Sequence, residues 1–394
     1  MKQYFTLDPE TVFLNHGSFG ACPIPVLQAQ LEMRALLEHQ PVRFFENEAG
    51  PLLLGARKAV AQLMGADHDD LAFVPNATTG VNSAINSFAL GEGDEILVTD
   101  QEYNACSNVV HHVAARTGAK AVVIKVPFPL QSDDQVVDAI LDAVTPATRL
   151  ALIDHITSQT GLIYPIERIV SELKSKGVET VVDGAHALGS VPVNVEAIGA
   201  AYYTTNAHKW LCAPKVSAIL HVRDDMQERT RPTVISHGAN APVDPGSTSR
   251  FRLEFDWPGT ADITPYLATP AAIEFLSGVL DGGLNAVMKH NHELALAGRD
   301  LVLDALSIEK PAPDEMLGPM ASIPLPDSQS TKALGPFDLD PLKVALWNEH
   351  KIEIPVMPWP NHPHRLLRLS AQIYNTIDDY RRLADALPAL LAAD

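Results

Sequence analysis

Residues 179–190 read ETVVDGAHALGS, an apolar run that ends in an aspartate and is followed at once by glycine. Valine and threonine favour strands, and a glycine directly after such a run ends it. Ligands of open parallel sheets bind at the carboxyl ends of the strands, where Asp183 could hold a protonated ring nitrogen. The alternative is that Asp183 caps a helix that begins in the residues after it, GAHALG. This stretch alone leaves the two interpretations open.

The segments on both sides of this stretch alternate between strand and helix patterns. Short apolar runs occur at 71–75, 95–99, 121–126, 149–155, 201–205 and 217–222, and helical patterns occur at 80–90, 105–118 and 166–177. Such alternation predicts an α/β fold with a mostly parallel sheet and helices on both faces. After about residue 230 the chain becomes rich in loops, and a smaller α+β lobe follows. The predicted segments are 1–22, 23–280 and 281–394.

Composition limits the class of protein and its partners. The chain has 394 residues, 46% hydrophobic and 20% charged, with a net charge of 29 − 48 = −19. No basic block is present to neutralise phosphates, so we expect no nucleic-acid partner. The N-terminus has no signal-peptide pattern and no run has transmembrane length, so we expect no membrane partner. Cys22, Cys106 and Cys212 form no disulfide pattern, which indicates a reducing compartment and a cytoplasmic protein.

Residues 204–215, TTNAHKWLCAPK, place Lys209 between a histidine and a tryptophan. A lysine becomes a nucleophile when burial lowers its pKa. The simpler interpretation is a surface lysine whose stem packs on Trp210. Other motifs in the sequence are needed to distinguish a nucleophilic Lys209 from a surface Lys209.

A third signal lies in residues 73–90, FVPNATTGVNSAINSFAL, which predict a strand, a turn and a helix. Exposed N–H groups at a helix start, with Thr78 and Thr79 beside them, can bind an anion. Simple helix capping is the alternative. Pyridoxal 5'-phosphate needs a lysine, an acid at its ring nitrogen and a phosphate site, so Lys209, Asp183 and this turn together predict that cofactor. The histidine pairs at 290–292 and 362–364 lack partner ligands, so no metal is predicted.

Several motifs occur in an order that is specific for one family. They are LNHGSFGACP (14–23), QPVRFF (40–45), EYNA (102–105), DHITSQTGLIYPI (154–166), DGAHALG (183–189) and NAHKW (206–210). Over nearly its whole length the chain resembles the class V aminotransferase family of fold type I pyridoxal-phosphate enzymes, and within it the isopenicillin N epimerase-like branch. The resemblance implies a three-layer fold with a smaller C-terminal domain. It also implies that 1–22 contributes to the mouth of the site, that 23–280 binds the cofactor, and that homodimers share their active sites.

The resemblance further implies a role for each residue that matches a family motif. Lys209 would bond to the cofactor aldehyde, Asp183 would pair with the pyridine nitrogen, and His186 would contact the phenolic oxygen. The implied phosphate ligands are Thr78, Thr79, Asn206, His208 and, from the partner subunit, Thr260. Tyr103 and Ser158 would complete the cofactor site, and Tyr103 would lie on the face opposite Lys209. The implied substrate residues are Arg368, for the α-carboxylate, with Asn15 and His16 near the mouth.

Two departures from the family's motifs reduce the number of reactions that the chain is expected to catalyse. Cysteine desulfurases of this family stack a histidine over the ring, where this chain has Tyr103. They also carry a reactive cysteine in a loop that here, at 355–367, contains none. We therefore expect no persulfide chemistry there, and we expect Cys106 and Cys212 to be packed thiols.

Three reactions at the Cα of an amino acid then stay open. An epimerase or racemase comes first by resemblance to the branch, and it needs a proton donor on the second face. A phenol such as Tyr103, with an ordinary pKa of about 10, is a poor base but a fair acid. A C–S β-lyase acting on a cysteine-derived thioether or sulfoxide comes next, and an aminotransferase third. A protein of this fold that binds its ligand without turnover is a further alternative.

Overall fold

The computed structural model describes residues 1–243, 248–330, 335 and 338–393. The strands, in chain order, are β1 Val12–Phe13, β2 Leu71–Val74, β3 Glu95–Thr99, β4 Lys120–Ile124, β5 Thr148–Asp154, β6 Glu179–Asp183, β7 Tyr202–Thr205, β8 Ala218–Val222, β9 Met320–Leu325, β10 Ile352–Glu353, β11 Val356–Pro358 and β12 Arg365–Ser370.

The α-helices are α1 His16–Phe19, α2 Ile24–His39, α3 Pro41–Arg43, α4 Ala49–Met64, α5 Ala77–Ser87, α6 Asn104–Thr117, α7 Asp134–Asp142, α8 Ile166–Ser175, α9 Val195–Ile198, α10 Asp224–Gln227, α11 Arg250–Phe255, α12 Thr264–Leu267, α13 Thr269–Gly278, α14 Gly283–Leu306, α15 Pro341–His350 and α16 Ile377–Ala393. Short 3-10 helices lie at Lys2–Tyr4, His68–Asp70, His237–Asn240 and Asp314–Met316, and a π-helix lies at Phe44–Glu48.

A seven-stranded sheet in the order β2-β8-β7-β6-β5-β3-β4 forms the centre of the larger lobe. Its neighbours β4, β3, β5, β6 and β7 pair in parallel, which confirms the predicted mostly parallel sheet. Strand β8 runs antiparallel to both of its neighbours. The register places Asp154 beside Asp183 and Asp183 beside Thr204 at one edge of the sheet. Side chains from three strands therefore meet at this edge.

Both faces of this sheet are buried, because alternate residues of each central strand point to opposite sides. Ile96 and Val98 of β3 belong to one apolar cluster, which includes side chains of α5 and α6. Leu97, between them, belongs to the larger cluster on the other face, which includes side chains of α7 and α8. The result is the three-layer α/β architecture that the sequence predicts.

The smaller lobe contains the antiparallel sheet β11-β12-β9 and the long helices α14 and α16. Strand β1 pairs in parallel with β10, so the N-terminal segment is bonded to this lobe. The boundaries at 22 and 280 stay predictions, and α14 begins three residues after the second of them. Within the described residues no single helix has the length and apolarity to cross a membrane, and one bent pair, Thr264–Gly278 with Gly283–Leu306 at 72°, meets those criteria only when both helices are combined.

Candidate active site

A cavity of about 340 Å³ opens at the carboxyl ends of β5 and β6. This is the edge of a parallel sheet where ligands bind. The sequence-predicted residues that line it are Thr78, Tyr103, Ser158, Asp183, His186, Asn206, His208 and Lys209. The fold therefore brings together side chains that lie up to 131 positions apart in the sequence, from Thr78 to Lys209.

Lys209 follows β7 in a tight turn and is held by a histidine. Its Nζ lies 3.0 Å from Nε2 of His186, while the indole Nε1 of Trp210 donates to Nδ1 of His186 at 3.2 Å. An indole N–H can only donate, so Nδ1 of His186 is the acceptor and a neutral His186 carries its hydrogen on Nε2. That hydrogen then points at Lys209, which must accept it as a free amine. Burial lowers the pKa of Lys209 to about 8, so the free amine forms at a lower pH than in an ordinary lysine.

Asp183 ends β6 at the floor of the cavity, where only 3% of it is exposed. Its Oδ2 accepts from the Cys106 thiol at 3.1 Å, and its Oδ1 accepts from the backbone N–H of Ala185 at 3.0 Å. Burial raises the pKa of Asp183, while these donors and, in its protonated form, Lys209 lower it in part. Hydrogen bonds to the charged form favour a carboxylate, so Asp183 is suited to pair with a cation.

The start of α5 forms the anion side of the cavity. Asn76 caps the helix by accepting the N–H of Thr79 at 2.9 Å, and the Asn206 side chain accepts the N–H of Ala77 at 2.9 Å. Gly80 lets the helix approach β7 closely, because a Cβ there would lie against the hydroxyl of Thr204. Thr78, in the first turn of α5, lines the cavity. The partial positive charge at a helix start suits a phosphate.

Thr79 and Thr260, both predicted phosphate ligands, lie elsewhere within one subunit. The hydroxyl of Thr79 donates to Asn76 at 3.0 Å, and Thr79 lines a separate groove near Trp257. Thr260 is exposed and does not line the cavity. His208 does line the cavity; its Nδ1 lies 2.9 Å from the backbone oxygen of Ser217, and burial lowers its pKa to about 4.

Arg368 lies on β12, is 3% exposed and is not itself among the residues that line the cavity, but it contacts Ser158 and Ser18, which are. One terminal nitrogen donates to the backbone oxygen of Ser158, and the other donates to the Ser18 hydroxyl at 3.2 Å. Its Nε has no partner among the described residues. Burial lowers the pKa of Arg368 to about 10, and the nearby Tyr103 partly offsets this. No carboxylate of the described residues pairs with Arg368, and such a buried cation is suited to an anionic substrate group.

The N-terminal turn lies against the Lys209 loop. His16 is fully buried, with Nδ1 2.8 Å from the Tyr374 hydroxyl and Nε2 3.0 Å from the backbone oxygen of Lys209. Gly20 has φ +71°, and a Cβ there would lie against the His208 carbonyl. Asn15 donates to Glu353 at 3.1 Å and accepts from Ser18 at 2.5 Å. Asn15 and His16 therefore lie behind the cavity lining, in contact with the residues that form it.

Sequence reasoning missed four groups that shape the site. Ser18 contacts Arg368, Trp210 fixes the His186 tautomer, and Glu102 and Asp154 lie beside Asp183. Asp154 carried the same signal as Asp183, an acid at the end of an apolar run. The other three lie within the quoted motifs LNHGSFGACP, EYNA and NAHKW, but the motifs did not predict their contacts because the partners lie elsewhere in the fold.

Pyridoxal 5'-phosphate fits this donor set. A free amine on Lys209, an ionised carboxylate on Asp183 and a helix start at Thr78 lie around one cavity. They match the aldehyde, the pyridinium nitrogen and the phosphate of that cofactor.

Comparisons with known proteins agree with the geometry. The family profile described as "Aminotransferase class-V" matches residues 23–383. Isopenicillin N epimerase of Amycolatopsis lactamdurans is 36% identical over 99% of this chain and 97% of the relative. A probable chloroplastic L-cysteine desulfhydrase of Arabidopsis thaliana is 30% identical over 98% of this chain and 84% of the relative. A solved structure of a C-DES lysine mutant, with glycine covalently linked to the PLP cofactor, superposes with a TM-score of 0.83 at 20% identity and covers 99% of both chains.

Proposed function

The chain belongs to the class V aminotransferase family and its cofactor is pyridoxal 5'-phosphate, and from that premise we propose that it is an amino-acid epimerase or racemase. When bound, the cofactor supplies an electron sink that makes the Cα proton of an amino acid acidic. The protein has to bind the substrate, remove that proton and return one to the opposite face.

The observation that carries the proposal is the position of Lys209 as a buried free amine. Its Nζ lies 3.0 Å from the Nε2 of His186, and burial lowers its pKa to about 8. A general base works best when its pKa lies near the working pH. In the proposal Lys209 removes the Cα proton from one face, and the hydrogen on His186 Nε2 orients the lysine.

Arg368 is proposed to bind the α-carboxylate of the substrate. Its contacts with Ser18 and with the backbone of Ser158 fix the plane of the guanidinium, and its Nε has no partner among the described residues. Asp183 is proposed to keep the pyridine nitrogen protonated, and Thr78, Asn206 and His208 are proposed to surround the phosphate.

Tyr103 is proposed as the acid that returns a proton from the second face. It lines the cavity at the start of α6, and its side chain lies near enough to Arg368 to raise the pKa of that guanidinium in part. A phenol can donate to a carbanion without serving as a strong base. Two isopenicillin N epimerases are 34–36% identical to the chain over 98–99% of its length, which supports epimerisation.

We also propose that the enzyme works as a homodimer in which Thr260 of the partner subunit completes the phosphate site. Thr260 is exposed in a loop away from the cavity of its own subunit, as a residue that serves the other subunit has to be. Mixing Lys209→Ala and Thr260→Ala subunits tests this. Hybrid dimers should recover activity that neither parent shows, while a mixture with no more activity than its parents contradicts shared sites.

A C–S β-lyase is the second candidate, and the desulfhydrase relatives support it. Four relatives, one named L-cysteine desulfhydrase and three named as probable or putative L-cysteine desulfhydrases, are 30–32% identical over 96–98% of this chain. Loss of a sulfur leaving group from Cβ requires Lys209 but no donor on the second face. The two reactions therefore differ in their need for Tyr103.

Proton NMR in D₂O separates the candidates. The cofactor-loaded enzyme is given L-amino acids and cysteine thioethers, and the Cα proton and any keto acid are followed. Deuterium at Cα together with the D-isomer supports the epimerase. Pyruvate with a released sulfur product replaces that proposal with the lyase, and a keto acid that retains the substrate side chain replaces it with an aminotransferase.

A further inference from the structure

Three buried carboxyl groups meet beneath the cavity, although the proposed function uses only one. Asp154 and Asp183 are the last residues of neighbouring parallel strands and are paired in register, and Glu102 follows β3. The three residues are 2–4% exposed. A carboxyl oxygen of Glu102 lies within 4.8 Å of both Asp183 and the Cys106 sulfur. With so little water present, repulsion among three negative charges would be large.

The contact between Glu102 and Asp154 indicates where a proton is held. Their carboxyl groups lie within hydrogen-bonding reach of each other. Oε2 of Glu102 and Oδ2 of Asp154 have no partner within the part of the chain that the structure describes. Two ionised carboxylates can only accept, so this contact becomes a hydrogen bond only when one of them is protonated. Burial, followed by the neighbouring carboxylates, raises the pKa of both groups well above the ordinary range.

Asp183 has different surroundings. It accepts hydrogen bonds from Cys106 and from the Ala185 backbone, and the amine of Lys209 also favours its charged form whenever that amine is protonated. Glu102 accepts one backbone N–H, from Tyr103 at 3.0 Å. The other titratable groups around the cluster are the buried Tyr164 phenol and Asp100, and neither supplies a positive charge. The Thr99 hydroxyl and the backbone of Asp154 also favour a charged Asp154, but the contact between Glu102 and Asp154 needs a proton on that pair, and Asp183 has no such contact with a second carboxyl group among those that the cited hydrogen bonds give.

We propose that Glu102 and Asp154 share one proton and act as positioning residues that leave Asp183 ionised toward the pyridine nitrogen. Asp154 and Asp183 both line the cavity, so the location of this proton decides which of two neighbouring acids is the partner of the cofactor. The inference concerns the cofactor site and holds for epimerisation and elimination alike.

Infrared spectroscopy of the holoenzyme at pH 8 tests the shared proton. The wild type should show a carbonyl band of a protonated carboxylic acid that shifts in D₂O. Glu102→Gln and Asp154→Asn should each lose this band, because the new amide donates to the remaining carboxylate, which stays ionised. Asp70→Asn is the matched control: burial raises the pKa of Asp70 only to about 6, so it is ionised at pH 8 and its loss should leave the band unchanged. A wild type without the band, or a band that survives in either amide variant, overturns the proposal.

The ¹⁵N shift of labelled cofactor reports the consequence at the pyridine nitrogen. Glu102→Gln and Asp154→Asn keep the same net charge on the pair, so both should retain the shift of a protonated nitrogen. Asp183→Asn should move it to the unprotonated value. A shift lost in Asp154→Asn and retained in Asp183→Asn reverses the roles and overturns the proposal. If Asp183→Asn does not retain the cofactor, as judged by its visible absorption, the infrared result decides alone.

Discussion

Nζ of Lys209 and Nε2 of His186 lie 3.0 Å apart, with the hydrogen on the histidine side. The direction follows from Trp210, whose indole N–H occupies the other ring nitrogen of His186 at 3.2 Å. A neutral imidazole has one donor and one acceptor nitrogen, so the hydrogen bond from Trp210 determines which tautomer of His186 faces Lys209. The tryptophan in the motif NAHKW is thus part of the lysine site through its N–H group.

Lys209→Ala should abolish turnover and remove the visible absorption band of the lysine-bound cofactor. The variant lacks both the amine that bonds the aldehyde and the proposed base. Stopped-flow assays and absorption spectra check this, with Lys174→Ala on the exposed face of α8 as the control. A Lys209→Ala enzyme with the wild-type rate would refute the mechanism.

Trp210→Phe should lower kcat while the fold is kept. The change removes one buried hydrogen bond, worth about 1 kcal/mol, so we expect a loss of about fivefold together with a shifted pH dependence of the visible band. Trp347→Phe is the control, because Trp347 is exposed on α15. If Trp210→Phe and Trp347→Phe had the same kcat and the same pH dependence of the visible band, Trp210 would not set the tautomer of His186.

Reconstitution of the apoenzyme with cofactor should depend on pH through Lys209. Only the neutral amine attacks an aldehyde, and burial lowers the pKa of Lys209 from 10.5 to about 8. The rate of cofactor uptake should therefore rise with pH and level off above about 8. A rate of cofactor uptake that keeps rising to pH 10 would mean that the pKa of Lys209 is not lowered by burial.

Arg368→Ala should raise KM for amino-acid substrates by about 10- to 100-fold, since hydrogen bonds to charged groups contribute about 1.5–3 kcal/mol. Cofactor absorption should be unchanged, and Arg368→Lys should lie between the two, because it keeps the charge but not the planar fork. Steady-state kinetics check this, with the exposed Arg381→Ala as the control. An unchanged KM would mean that the carboxylate binds elsewhere.

Tyr103→Phe should abolish epimerisation while the exchange of the Cα proton continues. We expect it to exchange the Cα proton for deuterium without forming the D-isomer, because Lys209 still serves one face. Chiral chromatography beside NMR in D₂O measures this, with Tyr4→Phe, on the surface near Phe275, as the control. Undiminished epimerisation would assign the second proton to another group.

The alternating apolar runs predicted the layers of the large lobe, since a parallel sheet buried on both faces needs such runs. They could not predict that β8 runs antiparallel, because the pattern 217–222 is the same in either direction. Asp183 and Asp154 both end apolar strands, yet the resemblance singled out only Asp183. The contact of Ser18 with Arg368 joins positions 350 residues apart, and no local pattern encodes such a pair.

The pairing of β1 with β10 sets an order of events during synthesis. Val12 leaves the ribosome long before Ile352, the residue with which it pairs. Until then the turn around Gly20, which lies against the Lys209 loop, has no strand to hold it, and Arg368 has not yet been made. Contacts that span so much of a chain form late. A nascent chain can therefore assemble the large sheet early, but only a chain translated past Arg368 can complete the pocket.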